Sequence, residues 1–174
     1  MVRPVASAIK LADDGVFPNS SLPVLLYQGL DPERVRRRLH DHGWGSSWID
    51  GIYDFPHYHS TAHEALLVLM GVAQVQLGGP SGTRLELEQG DALVLPAGVA
   101  HQCLSCSADF RVMGAYPLGQ NYDMMYGQPA ERPAADQRIA SVPLPQADPF
   151  FGSRGDLLDY WREPASSEDT LSVP

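Results

Sequence analysis

The sequence predicts an all-β fold, a barrel or sandwich of short strands. Three observations predict it. Between Ala65 and Tyr116, runs of strand length follow one another closely: ALLVLMG, AQVQLGG, TRLELEQG, DALVLPAG, HQCLSC and DFRVMGAY. Glycine and proline punctuate these runs, at Gly71, Gly78-Gly79-Pro80, Gly90 and Pro96, as short strands joined by tight turns require. The one helix read from the sequence is short and starts at Asp31-Pro32-Glu33. A chain of 174 residues suffices for one domain that buries roughly 70% of its unfolded surface.

In chain order, PVASAIKL alternates well enough for a strand, and DDGVFPNSS is a turn or loop rich in Asp, Gly, Pro and Asn. LPVLLYQ is a second short strand. At Asp31-Pro32-Glu33 the aspartate caps a helix, proline takes its first position and glutamate favours its positive end. Val35 and Leu39 lie one helical turn apart and form its buried stripe, while Arg34, Arg36, Arg37 and Arg38 form its solvated face. Gly43 is expected to end this helix. Trp44 and Trp48 follow and are expected to pack in the core. GGPSG at 78–82 is a hairpin turn. Residues 1–127 thus form the barrel domain. From Gln128 the composition changes: seven of the fifteen prolines fall in the segment 128–174. That segment has too few apolar residues for a core of its own. DPFFG and LLDYW are the anchors by which an extended tail wraps the barrel or a partner subunit, and the final EPASSEDTLSVP is expected to be mobile.

Four of the six histidines fall in two of these stretches. GIYDFPHYHSTAHEALLVLMG holds His57, His59, His63 and Glu64, and GDALVLPAGVAH ends in His101. On a strand His57 and His59 share a face. A hairpin turning at Ser60-Thr61-Ala62 would bring Glu64 opposite them, and His101 completes a set of three imidazoles and one carboxylate. Such a set suits one divalent transition metal ion and does not distinguish Fe, Mn, Ni or Zn. His63 has the opposite parity to Glu64 and is expected to support the site or face outward rather than bind the ion.

These residues carry a resemblance. Gly51-x5-His57-x-His59-x4-Glu64-x6-Gly71 resembles the first motif of the cupins, and Gly90-x5-Pro96-x-Gly98-x2-His101 their second. Ser105 stands where the second motif usually has Asn, a position that does not bind the ion. PNSSLPVLLYQG, HGWGSSWIDGIYDFPHYHSTAHE, DFRVMGAYPLGQNYD and DPFFGSRGDLLDYW are similar to the YjlB-like bacterial cupins. The resemblance implies a double-stranded β-helix, or jelly roll, with the metal held in the barrel. It also implies a homodimer, which would cover exposed strand edges.

Composition excludes several classes. A net charge of −9 argues against nucleic acid as a partner. No apolar run approaches the ~20 residues of a membrane helix. Arg3 and Pro4 follow Met1 without an apolar signal core, which leads us to expect a cytoplasmic protein. Cys103 and Cys106 form a lone C-x2-C, a weak zinc signal. On a regular strand they would face opposite ways, with Cys103 inside as a small apolar residue or a soft group near the metal.

Three functions fit. The first is an oxygenase-like enzyme acting on a small organic molecule in an apolar pocket. The second is a metal-dependent isomerase, epimerase or lyase. A phosphosugar would then need basic clamps, and the strand-rich stretch from Ala65 to Tyr116 offers only Arg84 and Arg111. The third is a non-enzymatic binding module. Candidate catalytic residues are Glu64, as a base, with Tyr53 and Tyr116 gating or orienting substrate. Tyr53 shares parity with His57 and would sit about 13 Å from it along a straight strand, and Tyr58 would point outward. Leu66, Val68, Met70, Leu93 and Leu95 would line the pocket wall by the same parity.

Overall fold

The computed structural model describes residues 3–162. The segment EPASSEDTLSVP lies outside the described residues. Among the described residues, nine strands form two antiparallel sheets. They are β1 (Ser7–Leu11), β2 (Ser20–Tyr27), β3 (Trp44–Asp50), β4 (Glu64–Met70) and β5 (Val72–Leu77), then β6 (Thr83–Glu88), β7 (Ala92–Leu95), β8 (His101–Cys106) and β9 (Arg111–Pro117). The larger sheet runs β1-β2-β7-β4-β9-β3, and the smaller runs β6-β5-β8. All six runs read between Ala65 and Tyr116 are strands, as are the two near the N-terminus.

The central strands of the larger sheet, β4 and β7, are buried on both faces. The sheet's inner face meets the smaller sheet in a core of Val24, Leu66, Val68, Val75, Leu87, Leu93 and Val112. Its outer face carries Leu25, Tyr27, Leu67, Leu69 and Val94, covered by Val35, Leu39, Phe150, Leu157 and Trp161. This explains why Glu64–Met70 reads as an unbroken apolar run: six of its seven residues are buried, and a strand covered on both sides has no polar face to show.

The helix at Pro32 is shorter than expected. α1 spans Pro32–Arg36, and Asp31 caps it by accepting from the Arg34 N–H. It closes at Arg37, and turns carry the chain on to Gly43, whose φ is 81°. The stretch after it, assigned only tryptophans from sequence, is β3, an edge strand paired with β9. Trp44 is buried there, and its Nε1 donates to the Ala147 carbonyl at 3.0 Å.

The C-terminal segment is not simply extended. It forms a 3-10 turn (Pro129–Glu131), α2 (Ala134–Ser141) and α3 (Leu157–Tyr160). Phe150, Leu157 and Trp161, from the two clusters read as anchors, lie in the outer core of this same chain. The buried Asp148 carboxylate holds the segment down: it accepts from the Tyr27 hydroxyl, from the N–H of Phe150 and Phe151 at 2.8 and 3.0 Å, and from that of Leu157 at 3.2 Å.

One parity expectation fails because β8 is bulged. Val75 lies opposite Cys103 and Ala73 opposite Cys106, with a register shift between. The extra residue brings both cysteines to one face. Both are free thiols. Burial pushes the Cys103 thiol up to about 11, and the residue sits in the inner core as a small apolar group.

Candidate metal centre

His57, His59 and His101 are all buried, and each offers a ring nitrogen within 4.8 Å of the others. Three buried imidazoles so placed could hold a metal ion. The expected hairpin is not what assembles them. β4 pairs with β7 and β9, and the 57–59 segment stays outside both sheets. Instead His57 pairs with His101 as an isolated antiparallel bridge, through N–H···O bonds of 3.2 and 2.9 Å. Gly98 closes the loop before β8: its N–H donates to the His59 carbonyl at 2.8 Å. Its φ is 100°, and a Cβ there would fall 2.2 Å from the Asn19 carbonyl oxygen, so only glycine fits.

Each imidazole is fixed by its Nδ1, on the carbonyls of Phe55 (3.1 Å), Asp123 (2.5 Å) and Val99 (3.0 Å) for His57, His59 and His101 respectively. A carbonyl only accepts, so Nδ1 is the protonated nitrogen and Nε2 of each neutral ring is left bare. Glu64 Oε2 lies 3.2 Å from the Nε2 of both His59 and His101. That oxygen is buried and accepts no hydrogen bond. Bare nitrogens and an unpartnered carboxylate oxygen facing one another repel unless a cation lies among them. The donor set and this orphaned atom fit a divalent transition ion.

Burial, and then the neighbouring His101, hold the His57 imidazole down to about 3. A proton competes with an ion for the same atoms: burial disfavours the charged His59 ring, but with no ion between them the Glu64 carboxylate outweighs it and leaves His59 above its ordinary value. Burial would raise Glu64, yet in that ion-free state protons on the facing His101 and His59 rings bring its carboxyl well below the usual range.

Beside this cluster opens a cavity of about 420 Å³. Tyr116 and Tyr53 both line it. The Tyr116 hydroxyl donates to Glu64 Oε1 at 3.1 Å and accepts from Trp48 Nε1 at 2.8 Å. Tyr53 is closer to the cluster than a straight strand allows: residues 51–56 are irregular, and its ring centroid lies 5.3 Å from that of His57. Tyr58 points away from the cluster, as parity requires, but is fully buried, packed on Phe17, Ala100 and Ala135 with its hydroxyl on Glu131. Of the residues expected on the pocket wall, only Leu66 lines the cavity; Val68, Leu93 and Leu95 lie deeper in the core, and Met70 is exposed.

His63 stands apart. It is buried, its Nδ1 accepts from the Ala97 N–H at 2.9 Å, and its ring lies 4.9 Å from that of Trp161. Burial holds it down to about 4.

A family model described as a cupin domain matches residues 50–113. The uncharacterized protein YjlB of Bacillus subtilis (strain 168) is 43% identical over 152 residues, 86% of this chain and 92% of that protein. The chain is a YjlB-like cupin. This cupin is also similar to a DUF861-family protein from Thermotoga maritima, at 22% identity with a TM-score of 0.36, over 52% of this chain and 96% of the other. A vicilin from Solanum lycopersicum is similar at 20% identity with a TM-score of 0.41, over 62% of this chain and 30% of the other. Neither carries an activity over to this cupin.

Sequence reasoning missed the segment after β9. Tyr122 and Met124 line the cavity. Tyr122 stacks on Tyr116 with centroids 4.8 Å apart and meets His59 edge-on at 5.1 Å. Beyond a pair of aromatic residues, no periodic pattern in LGQNYDMMYG marks it.

Proposed function

We propose that this cupin is a metal-dependent, oxygenase-like enzyme that acts on a small organic molecule, with His57, His59, Glu64 and His101 holding one divalent transition ion. One observation carries the reading: three bare imidazole nitrogens and an orphaned Glu64 oxygen converge beside a cavity. The ion, when bound, supplies a Lewis acid with positions left for a small ligand. The chain supplies the rest. Trp48, Tyr53, Tyr116 and Tyr122 make aromatic walls that bind and orient a flat organic group. Tyr116 keeps its proton, because burial and the Glu64 charge raise its hydroxyl far above the ordinary value. It therefore serves as a donor to Glu64, the candidate base.

A phosphorylated substrate is disfavoured. Among the described residues, no lysine or arginine lines the cavity. Arg84 is spent on Gln76 and Arg111 on the Phe110 carbonyl. The test is elemental analysis of protein purified without added metal, followed by oxygen consumption with candidate substrates. Stoichiometric iron with oxygen-dependent turnover supports the reading. Tightly held zinc or nickel with no turnover favours a binding module. We also propose a homodimer, in which the outer edges of β1 and β3 find partners; a monomer mass by light scattering across concentrations would rule it out.

A further inference from the structure

We propose that Arg138, on α2 of the C-terminal segment, is a positioning residue for the metal centre, acting through Ser60 and Asp123 to fix the carbonyl that orients His59. The inference rests on the metal reading above. His57 and His101 take their Nδ1 acceptors from Phe55 and Val99, two residues back in the same stretch of chain. His59 differs. Its acceptor, the Asp123 carbonyl at 2.5 Å, is 64 residues away, in a segment with no regular secondary structure. Whatever holds Asp123 therefore holds His59.

The segment around Asp123 runs as a strap beside residues 57–63. The Gln120 side chain accepts from the His63 N–H at 3.1 Å, and the Asn121 carbonyl accepts from the Thr61 hydroxyl at 2.6 Å. Met125 and Tyr58 exchange two backbone bonds of 2.9 Å. Even-numbered Tyr122 and Met124 turn into the cavity, while odd-numbered Asp123 and Met125 turn toward α2.

Arg138 closes this network. Its Nε donates to Ser60 Oγ at 2.8 Å and lies 3.7 Å from Asp123 Oδ2, and its Nη2 reaches Met125 Sδ at 3.5 Å. The Asp123 carboxylate accepts from the Ser60 N–H at 2.6 Å and from the Ser60 hydroxyl. Ser60 is fully buried and its hydroxyl has one proton to give. Because Arg138 occupies a lone pair of that hydroxyl, the proton is directed at Asp123. Without the guanidinium the hydroxyl is free to turn, the Asp123 charge loses its counter-ion, and the carbonyl facing His59 is no longer fixed.

Cobalt(II) titration of the purified full chain tests this, read by visible absorption. Partners that orient a ligating histidine are typically worth 10–100-fold in metal affinity. Arg138→Ala is expected to weaken cobalt binding about tenfold and to shift the absorption band, with Arg138→Lys intermediate. Arg132→Ala is the control. Arg132 ties α2 to Asp13 through a separate ion pair and does not touch Ser60 or Asp123. Wild-type affinity and spectrum in Arg138→Ala, or equal weakening in Arg132→Ala, would overturn the proposal. A second measurement needs no metal. The His59 Nδ1 proton should give a protected NMR resonance in the metal-free wild type and in Arg132→Ala, and lose it in Arg138→Ala. Its persistence in Arg138→Ala overturns the proposal whatever cobalt does. Failure of the wild type to bind cobalt would instead overturn the metal reading.

Discussion

The Tyr116 hydroxyl donates to Glu64 Oε1 at 3.1 Å while accepting from Trp48 Nε1 at 2.8 Å. This divides the two oxygens of Glu64. Oε1 is held by the phenol, and Oε2 alone faces His59 and His101. Tyr116→Phe removes a hydrogen bond to a buried carboxylate and leaves the Trp48 N–H without its acceptor. Bonds to charged groups contribute about 1.5–3 kcal/mol, so the metal-free variant should unfold in urea with about 2 kcal/mol less stability. Stability equal to wild type would mean that the phenol does not hold Glu64.

His59→Ala and Glu64→Gln should separate metal binding from chemistry. Removing an imidazole takes one of three nitrogens from the ion, so His59→Ala is expected to lose both metal and turnover. Glu64→Gln keeps an oxygen beside the ion and keeps the acceptor for Tyr116, but removes the basic group. It should retain much of the metal, measured by elemental analysis, and lose turnover. Unchanged turnover in Glu64→Gln would reduce Glu64 to a ligand. Metal at about 100 times its dissociation constant should stabilise the wild type by about 2.7 kcal/mol, an increment that chelation reverses and that His59→Ala lacks.

Most of the barrel was legible because its signals are local. The runs from Ala65 to Tyr116 each became a strand, since strand length, apolar residues and intervening turn residues are all local signals. His57, His59 and His101 were legible as a group through their spacing. The route by which they meet was not. The hairpin reasoning assumed that neighbours in sequence pair, whereas His57 bridges His101, 44 residues on, and β4 takes β7 and β9 as partners. Parity failed wherever the strand was not regular. The bulge in β8 turned Cys106 onto the face of Cys103, and the irregular stretch 51–56 folded Tyr53 back onto His57. The strap was invisible for a different reason. Asp123 acts through a backbone carbonyl, which every residue possesses, so no residue type announces it.

Arg132 joins the β1–β2 loop to α2 and gives a pH prediction. Its bonds to Asp13, helped by the Gly15 N–H, lower the Asp13 carboxyl from its ordinary value to about 2. A depressed carboxyl contributes stability that is present above its unfolded pKa of about 4. That contribution is lost as pH falls from there to about 2. The pair is largely exposed to solvent, so screening keeps the effect below about 1 kcal/mol. Arg132→Ala should therefore lose slightly less stability than wild type between neutral pH and about pH 2, as followed by urea unfolding. An identical pH dependence in the two proteins would show that the pair contributes nothing.

Asp148 should prove the costliest single side chain of the C-terminal segment. It is fully buried, and four donors converge on it: the Tyr27 hydroxyl from β2 and the N–H groups of Phe150, Phe151 and Leu157. These bonds seat Phe150 and Leu157 in the outer core, where they cover Leu25 and Leu67. Asp148→Ala would leave those donors facing a void, at about 1–3 kcal/mol for each that water cannot reach. Since the donors relax together, the loss expected in urea unfolding is about 3–5 kcal/mol, a large part of the stability of a domain. Asp148→Asn keeps the shape and one acceptor oxygen and should lose less. An independent variant probes the same seat from the other side. A Cβ at Gly155 would fall 1.9 Å from the Asp148 Cβ, too close for any rotamer to relieve. Gly155→Ala should then displace the carboxylate and approach the Asp148→Ala loss. A loss under about 1 kcal/mol in both variants would mean that the segment is held by its apolar contacts alone and that Asp148 only occupies the space between them.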